Sequence, residues 1–210
     1  ASRSGALIAS RSGASSQVPT ERSEVHGLIS SLISSDVTKL VVTCCNVSEP
    51  VEMRRLLAMA SCAGAWHAAG ELADGLLSKL TSDAFVRVYG PKVHGAHLLH
   101  DGLFAAPVDA LLFFSSVAAL LGGAGQANYS AANACLDAIA THRRGHGLVS
   151  NCIQWSVWSD LGMASRGVAS RRAAALQASS GLKQIGCAQG LRALASALLP
   201  GCPAVVSVMP

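Results

Sequence analysis

The stretch ALLFFSS at residues 110–116 is a continuous apolar run that ends in two serines. Such a run predicts a strand buried on both faces, as in a parallel sheet, with its polar residues at the carboxyl end. Open α/β sheets bind their ligands at that end. We therefore expect Ser116 to lie at a binding site.

Strand-like and helix-like patterns alternate along the rest of the chain. Strands are predicted at residues 39–44, 64–67, 109–115, 149–155 and 204–208, and helices at residues 50–60, 81–103, 126–144 and 186–199. This order predicts an α/β fold with a Rossmann-like, doubly wound parallel sheet. The chain has 210 residues, of which 50% are hydrophobic, so we expect a single domain over residues 1–210. Residues 162–180 suit a mobile lid over the substrate.

Composition argues against several classes of function. The net charge is +4 with scattered basic residues, which gives nucleic-acid binding little support. The longest apolar stretch is shorter than the ~18 residues of a membrane span. The seven cysteines lack zinc-finger spacing and, with no signal peptide at the start, indicate reduced thiols in the cytoplasm. His94, His97 and His100 have no further ligand at helical spacing, so no metal site is expected.

Lys92, Ser116, Tyr129 and Asn133 are the residue types that carbonyl reduction requires. Hydride addition to a carbonyl carbon leaves negative charge on the oxygen, which a positioned acid and hydrogen-bond donors must meet. Tyr129 can supply the proton if an ammonium, here that of Lys92, lowers the phenol pKa toward neutral pH. Ser116 would give a second hydrogen bond, and Asn133 faces the same way one helical turn after Tyr129.

Each of these residues also has a plainer interpretation. Tyr129 alone fits a packed core residue, Lys92 a solvated charge, and Asn133 a side chain that bonds within its own helix. Ser116 precedes Tyr129 by 13 residues and Lys92 precedes it by 37, and this combination favours the catalytic interpretation together with the flanking segments described next. Two further polar residues are interpreted as packed or structural: His67 and Asp137.

Three segments resemble the ketoreductase domain of polyketide synthases, a branch of the short-chain dehydrogenase/reductase family. They are LFFSSVA at 112–118, GGAGQANY at 122–129 and ANACLD at 132–137. Most relatives have lysine four residues after the tyrosine, whereas the polyketide branch has asparagine there and takes its lysine from upstream. Here Asn133 holds that position, and Lys92 lies in GPKVHGA, which resembles the upstream segment. The resemblance implies that Tyr129 donates the proton, Ser116 orients the carbonyl, and Lys92 and Asn133 tune the phenol and its water relay.

The resemblance also implies NADPH as the cofactor. LIASRSG at 7–13 resembles the family's second strand, whose arginine pairs with the 2′-phosphate, a role that suits a guanidinium. HAAG at 67–70 resembles the turn against which the cofactor packs, and Asn46 stands where the family usually has an aspartate for the adenine amino group. The implied cofactor contacts are Arg11, Asn46, Ala68, Ala69 and Gly70.

The substrate side carries a stereochemical signature. LAD at 72–74 fits the Leu-x-Asp signature of B-type domains, which give a D-configured 3-hydroxyacyl product, and the opposite type usually has tryptophan at the position of Leu121. WSVW at 155–158, followed by GMA at 162–164, resembles the end of the sixth strand and the start of the lid. The implied substrate-side residues are Asp74, Leu121, Gln126, Trp158 and Met163.

The start of the chain departs from the family. Members begin with a strand and a Gly-rich turn that binds the cofactor pyrophosphate, and no such turn precedes Leu7. The string ASRSGA also occurs twice, at residues 1–6 and 9–14. We therefore expect a domain incomplete at its N-terminus, a sheet without its central strand, and weakened NADPH binding.

The function implied is NADPH-dependent reduction of a 3-oxoacyl group on an acyl carrier protein. It would take place inside a polyketide or fatty-acid megasynthase, a multifunctional enzyme with acyltransferase, dehydratase and carrier domains as neighbours. One alternative is a pseudo-ketoreductase that serves as a structural and docking element, as the absent turn suggests. Another is a free-standing short-chain dehydrogenase, against which Asn133 argues.

Overall fold

The computed structural model describes residues 6–10, 40–59, 64–105, 108–159 and 183–210, with side chains from Cys45 onward in these ranges. The strands are β1 (Ala6–Ser10), β2 (Leu40–Cys44), β3 (Gly64–His67), β4 (Ala110–Ser116), β5 (Asn151–Trp155) and β6 (Val205–Val208). The helices are α1 (Pro50–Ala58), α2 (Ser82–Tyr89), α3 (Gly95–Gly102), α4 (Ala118–Leu121), α5 (Ala127–Gly145) and α6 (Cys187–Ala197). A 3₁₀ turn covers Leu77–Lys79 and a π turn covers Gly90–His94.

The strands pair in parallel and form two hydrogen-bonded groups. β1 pairs with β2, and the second group has the order β3-β4-β5-β6. Among the described residues, no strand joins β1 to β3. Parallel strands connected through helices give the predicted Rossmann-like α/β fold, which is confirmed.

Strand β4 lies at the centre of two hydrophobic clusters, one on each face of the sheet. Leu111 and Phe113 point to one face, where they pack with α1, α3 and α5. Leu112 points to the other face, where it packs with Ile153 of β5 and with α6. The alternation follows from the two-residue period of a strand. Because both faces are covered, the continuous apolar run of the sequence is explained.

Helix α5 continues from a glycine-rich loop beside β4. Its predicted apolar stripe of Ala132, Leu136 and Ile139 is buried. Before the helix, Gly125 has a φ of +72°, a conformation that favours glycine. In this conformation its carbonyl accepts a hydrogen bond from Gly75 N at 2.8 Å. The start of α5 is therefore tied to the loop that follows β3.

The predicted helix at residues 81–103 is helical without a break from Ser82 to Gly102, but it is not α-helical throughout. The structure divides it into α2, the π turn and α3. Pro91 has no N–H to donate to the carbonyl of Arg87, so regular α-helical bonding cannot continue there. The chain instead forms a wider turn, a geometry found frequently at functional sites. Lys92 lies in this turn.

Several predicted features lie outside the described residues. They include the lid at residues 162–180 and two of the predicted site residues, Arg11 and Met163. Across the described helices, none combines the length and the apolar character that crossing a membrane requires.

The contact between α5 and β4 can be tested with two leucines. Leu136 is fully buried in the cluster with Phe113, whereas Leu191 of α6 is 58% exposed. Leu136→Ala should lower the free energy of unfolding by about 2–5 kcal/mol because it leaves a cavity. The matched control Leu191→Ala should change it by less than about 0.5 kcal/mol. Urea denaturation measures both, and equal losses would contradict the packing described.

Candidate active site

Lys92 is buried beside the carboxyl end of β4. Its side chain is 3% exposed, and its Nζ donates a hydrogen bond to the carbonyl oxygen of Phe114 at 3.1 Å. Burial lowers the pKa of Lys92 from 10.5 to about 8, although the charge of Asp137 acts in the opposite direction. The interpretation of Lys92 as a solvated surface charge is therefore wrong.

The ammonium of Lys92 lies next to the ring of Tyr129. The distance from Nζ to the ring centroid is 5.3 Å, within the range of a cation–π interaction. Burial raises the pKa of Tyr129 above its ordinary value of 10.0, and hydrogen bonding with Asn133 and Ser116 acts in the opposite direction. The expected lowering of the phenol pKa is thus absent, since burial disfavours the phenolate more than its neighbours favour it.

Ser116 and Asn133 approach Tyr129 from two elements, the end of β4 and the second turn of α5. The Ser116 Oγ accepts a hydrogen bond from Ala118 N at 3.1 Å, which leaves its O–H as a donor. Asn133 is fully buried, and its Nδ2 donates to the carbonyl of Tyr129 at 2.8 Å. Its Oδ1 has no partner among the described residues. A buried unpaired acceptor costs ~1–3 kcal/mol, so this position suits an additional donor such as water.

The structure thus brings the four predicted residues together at the carboxyl end of β4. The Tyr129 phenol and the Ser116 hydroxyl lie at the site, and the buried Lys92 ammonium lies against the phenol ring. The Asn133 amide, whose oxygen has no partner among the described residues, lies one helical turn after Tyr129. These groups can donate a proton and hydrogen bonds to a carbonyl oxygen. The individual roles of the residues stay predictions.

The loop that carries Asp74 lies against the start of α5. Gln126 Nε2 donates to both carboxylate oxygens of Asp74, each at 3.4 Å. Asp74 is near enough to Tyr129 for its charge to raise the phenol pKa. Two predicted substrate-side residues therefore lie beside the proposed proton donor.

Asn128 holds this arrangement together and was not singled out from the sequence. It is fully buried, its Oδ1 accepts from Tyr129 N at 2.9 Å, and its Nδ2 donates to Ala73 O at 2.9 Å and to Ala84 O at 3.3 Å. The signal in the sequence is an asparagine in the first turn of a helix, a position where asparagine can bond free backbone groups.

The remaining substrate-side predictions occupy different surroundings. Leu121 at the end of α4 is 58% exposed. Trp158 packs on Trp155 with ring centroids 5.0 Å apart, and its ring lies directly over Gly190 of α6. Trp158 is therefore part of the cluster beneath α6.

The predicted cofactor contacts follow β2 and β3. Asn46 uses its Oδ1 to accept from Ser48 N at 3.2 Å, and one lone pair of that oxygen is left for a further donor. After the buried His67, Ala68 is exposed and Ala69 and Gly70 are half-buried. These small residues fit a flat ligand because they allow close approach to the backbone.

The polar residues set aside in the sequence have partners of their own. Asp137 accepts from Gln154 Nε2 at 2.8 Å and from Cys152 Sγ at 3.1 Å, which agrees with a structural role. His100 faces the buried Arg143, with 2.9 Å between Nδ1 and Nη1, while His94 and His97 are exposed. Within the described ranges, no group of three or more His, Cys, Asp or Glu residues is placed to hold a metal ion.

Comparison with known proteins gives consistent matches. The family model for the KR domain matches residues 3–160. The phthioceranic/hydroxyphthioceranic acid synthase of Mycobacterium tuberculosis is 40% identical over 149 residues, which are 68% of this chain and 7% of that protein.

Two solved structures are similar over almost the whole chain. The first ketoreductase of the tylosin PKS has a TM-score of 0.81 at 30% identity, and the match covers 98% of this chain and 43% of that one. A structure of A-type ketoreductases from a modular polyketide synthase has a TM-score of 0.82 at 27% identity, and the match covers 98% of this chain and 42% of that one. The chain spans less than half the length of all three proteins.

Asn128→Ala tests the attachment of the Asp74 loop to α5. The change leaves the N–H of Tyr129 and two carbonyls without their buried partner, so the free energy of unfolding should fall by about 2–4 kcal/mol. Asn46→Ala is a matched control, because it removes one hydrogen bond at a half-buried site and should cost less than about 1 kcal/mol. Denaturant titration measures both. A loss in Asn128→Ala no larger than in the control would refute the assignment.

Proposed function

The chain belongs to the KR domain family, and from this membership we propose that it reduces a 3-oxoacyl group on an acyl carrier protein to the 3-hydroxyacyl product, with NADPH, in polyketide biosynthesis. The observation that carries the proposal is the cluster of Lys92, Ser116, Tyr129 and Asn133 at the carboxyl end of β4. The matching proteins include polyketide synthase ketoreductases, so we favour polyketide over fatty acid biosynthesis.

Tyr129 is the proposed proton donor. NADPH, when bound, supplies the hydride for the carbonyl carbon. The Tyr129 phenol then gives its proton to the carbonyl oxygen, and the Ser116 O–H orients that oxygen by a hydrogen bond. Because its pKa is raised by burial, the phenol is held protonated at neutral pH, which is the state of a proton donor.

Lys92 and Asn133 would act on the phenolate that proton donation leaves. With a pKa of about 8, Lys92 is mostly charged at neutral pH, so its ammonium beside the ring stabilises a developing phenolate. The free Oδ1 of Asn133 would accept a hydrogen bond from a water that returns a proton to Tyr129. This relay depends on a water that bonds to Asn133.

The cofactor contacts are assigned by resemblance and by position. Arg11 would pair with the 2′-phosphate and so favour NADPH over NADH, while Asn46 would accept from the adenine amino group. Ala68, Ala69 and Gly70 would contact the cofactor through their backbone. Several of these positions follow strand ends, where α/β sheets bind ligands.

The substrate side supports a B-type product. We propose that Asp74, held by Gln126 beside Tyr129, guides the acyl chain to one face of the cofactor and gives the D-configured alcohol. The resemblance also assigns Leu121, Trp158 and Met163 to the substrate side, and of these Trp158 packs in the cluster beneath α6. The neighbouring domains of a megasynthase and a carrier-bound acyl chain are the partners that fit this function.

A second candidate is a structural or docking domain without reductase activity. The separation of the β1–β2 pair from the β3–β6 sheet among the described residues favours it, because the cofactor contacts are divided between the two groups. An NADPH titration followed by fluorescence separates the candidates. Binding supports the reductase, whereas no binding up to millimolar NADPH, with the fold intact, supports the structural role.

Tyr129→Phe tests the proposed proton donor. The change removes only the phenol O–H, so reduction of a 3-oxoacyl thioester should slow by about 10²–10⁴-fold while NADPH affinity stays nearly unchanged. Tyr89→Phe is the matched control, since Tyr89 is the other tyrosine of the chain and packs against the same cluster as Tyr129, and it should keep its turnover. A comparable loss of NADPH affinity in Tyr129→Phe, or equal turnover in both variants, would overturn the assignment.

A further inference from the structure

His67 makes a buried hydrogen bond to the backbone of Lys92. It is the last residue of β3 and is 3% exposed. Its Nε2 lies 2.9 Å from the carbonyl oxygen of Lys92, 25 residues further along the chain. The bond therefore joins the sheet to the π turn that carries the proposed catalytic ammonium.

The chemistry of this bond fixes the state of the imidazole. A carbonyl oxygen only accepts, so Nε2 must carry the proton and donate it. Burial lowers the pKa of His67 from 6.5 to about 4; the charge of Lys92 acts in the same direction, and hydrogen bonding to the backbone of Lys92 and Pro91 acts in the opposite direction. The ring is therefore neutral at physiological pH, and its Nε2–H is a permanent donor.

Two neighbouring strands, β3 and β4, bind the backbone carbonyl and the side-chain nitrogen of Lys92 respectively. His67 of β3 is the register partner of Phe113 of β4, and their rings meet edge to face with centroids 6.1 Å apart. The next residue, Phe114, accepts the hydrogen bond from the Lys92 ammonium. The backbone of Lys92 is thus attached to β3 and its side-chain nitrogen to β4.

The turn around Lys92 is shaped for contact with this histidine. A Cβ added at Gly95 would lie 3.0 Å from the His67 ring, so a side chain at that position would disturb the contact. Pro91, with no N–H, interrupts regular helical bonding beside Lys92. A π turn is rare and irregular, and a donor from outside the helix gives it one defined position.

We propose that His67 is a positioning residue whose imidazole N–H fixes the π turn so that the Lys92 ammonium is held over the Tyr129 ring. The consequence for turnover rests on the proposed reductase function, whereas the placement of Lys92 does not. If His67 only packed against its neighbours, any ring of similar size could replace it without moving Lys92. If its N–H is required, only a residue with a hydrogen-bond donor at the same place can replace it.

The four lysines of the chain allow a direct measurement, because Lys39, Lys79, Lys92 and Lys183 give four resonances in lysine-¹³Cε-labelled protein. Lys92→Arg assigns the resonance of Lys92. In the wild-type chain Lys92 should titrate near 8. In His67→Phe, which keeps a ring but lacks the donor, the ammonium should gain water and its pKa should rise by about one unit or more.

Two further variants decide between positioning and packing. His67→Gln can donate from its amide and should return the Lys92 pKa to the wild-type value. His97→Gln removes an exposed histidine of α3 and should leave the Lys92 pKa unchanged. An unshifted Lys92 in folded His67→Phe, or the same shift in His67→Gln, overturns the proposal. If Lys92 shifts as expected but the wild-type chain shows no reductase activity, the positioning role stands and the proposed function fails.

A measurement on the wild-type chain covers the case in which His67→Phe does not fold. The ¹⁵N shifts of the His67 ring at pH 7 should report a neutral imidazole with its proton on Nε2. A ring protonated on Nδ1 alone, or a charged ring, cannot make the proposed hydrogen bond with the Lys92 carbonyl and refutes the proposal.

Discussion

The buried ammonium of Lys92 is the constraint on which the site depends. An ammonium removed from water is costly unless other groups replace its hydration. Here the replacements are the Phe114 carbonyl at 3.1 Å and the face of the Tyr129 ring at 5.3 Å. One partner lies on β4 and the other on α5, so the charge is accommodated only if this strand and this helix are correctly packed. Fold and candidate chemistry are therefore coupled at one side chain.

The fold could be predicted because its signals are local and agree with one another. The run at residues 110–116 became β4, and strand positions elsewhere were predicted within two residues because apolar runs in a parallel sheet end at polar or turn residues. The stripe of Ala132, Leu136 and Ile139 placed one face of α5 on the sheet. The grouping of Lys92 with Tyr129 came from the resemblance, since no local pattern brings residues 37 apart together.

The parts that could not be predicted depend on contacts between distant segments. A helical pattern ran through residues 81–103, and the π turn inside it follows from the missing N–H of Pro91 and from the partners of Lys92 in the folded chain. The sequence indicates only packing for His67 and does not single out Asn128, because their hydrogen-bond partners in Lys92 and Ala73 lie 25 and 55 residues away. Likewise, the raised pKa of Tyr129 follows from burial, which sequence spacing does not report.

The contact between Lys92 and Tyr129 is the most direct test of this account. In protein labelled at Lys, Phe and Tyr, a nuclear Overhauser effect should connect the Cε protons of Lys92 with the ring protons of Tyr129. We expect this signal because the Lys92 Nζ lies 5.3 Å from the centroid of the Tyr129 ring. The rings of Phe85 and Tyr89, 6.1 Å apart, provide a reference in the same spectrum. A visible reference signal with no signal between Lys92 and Tyr129 would contradict the account.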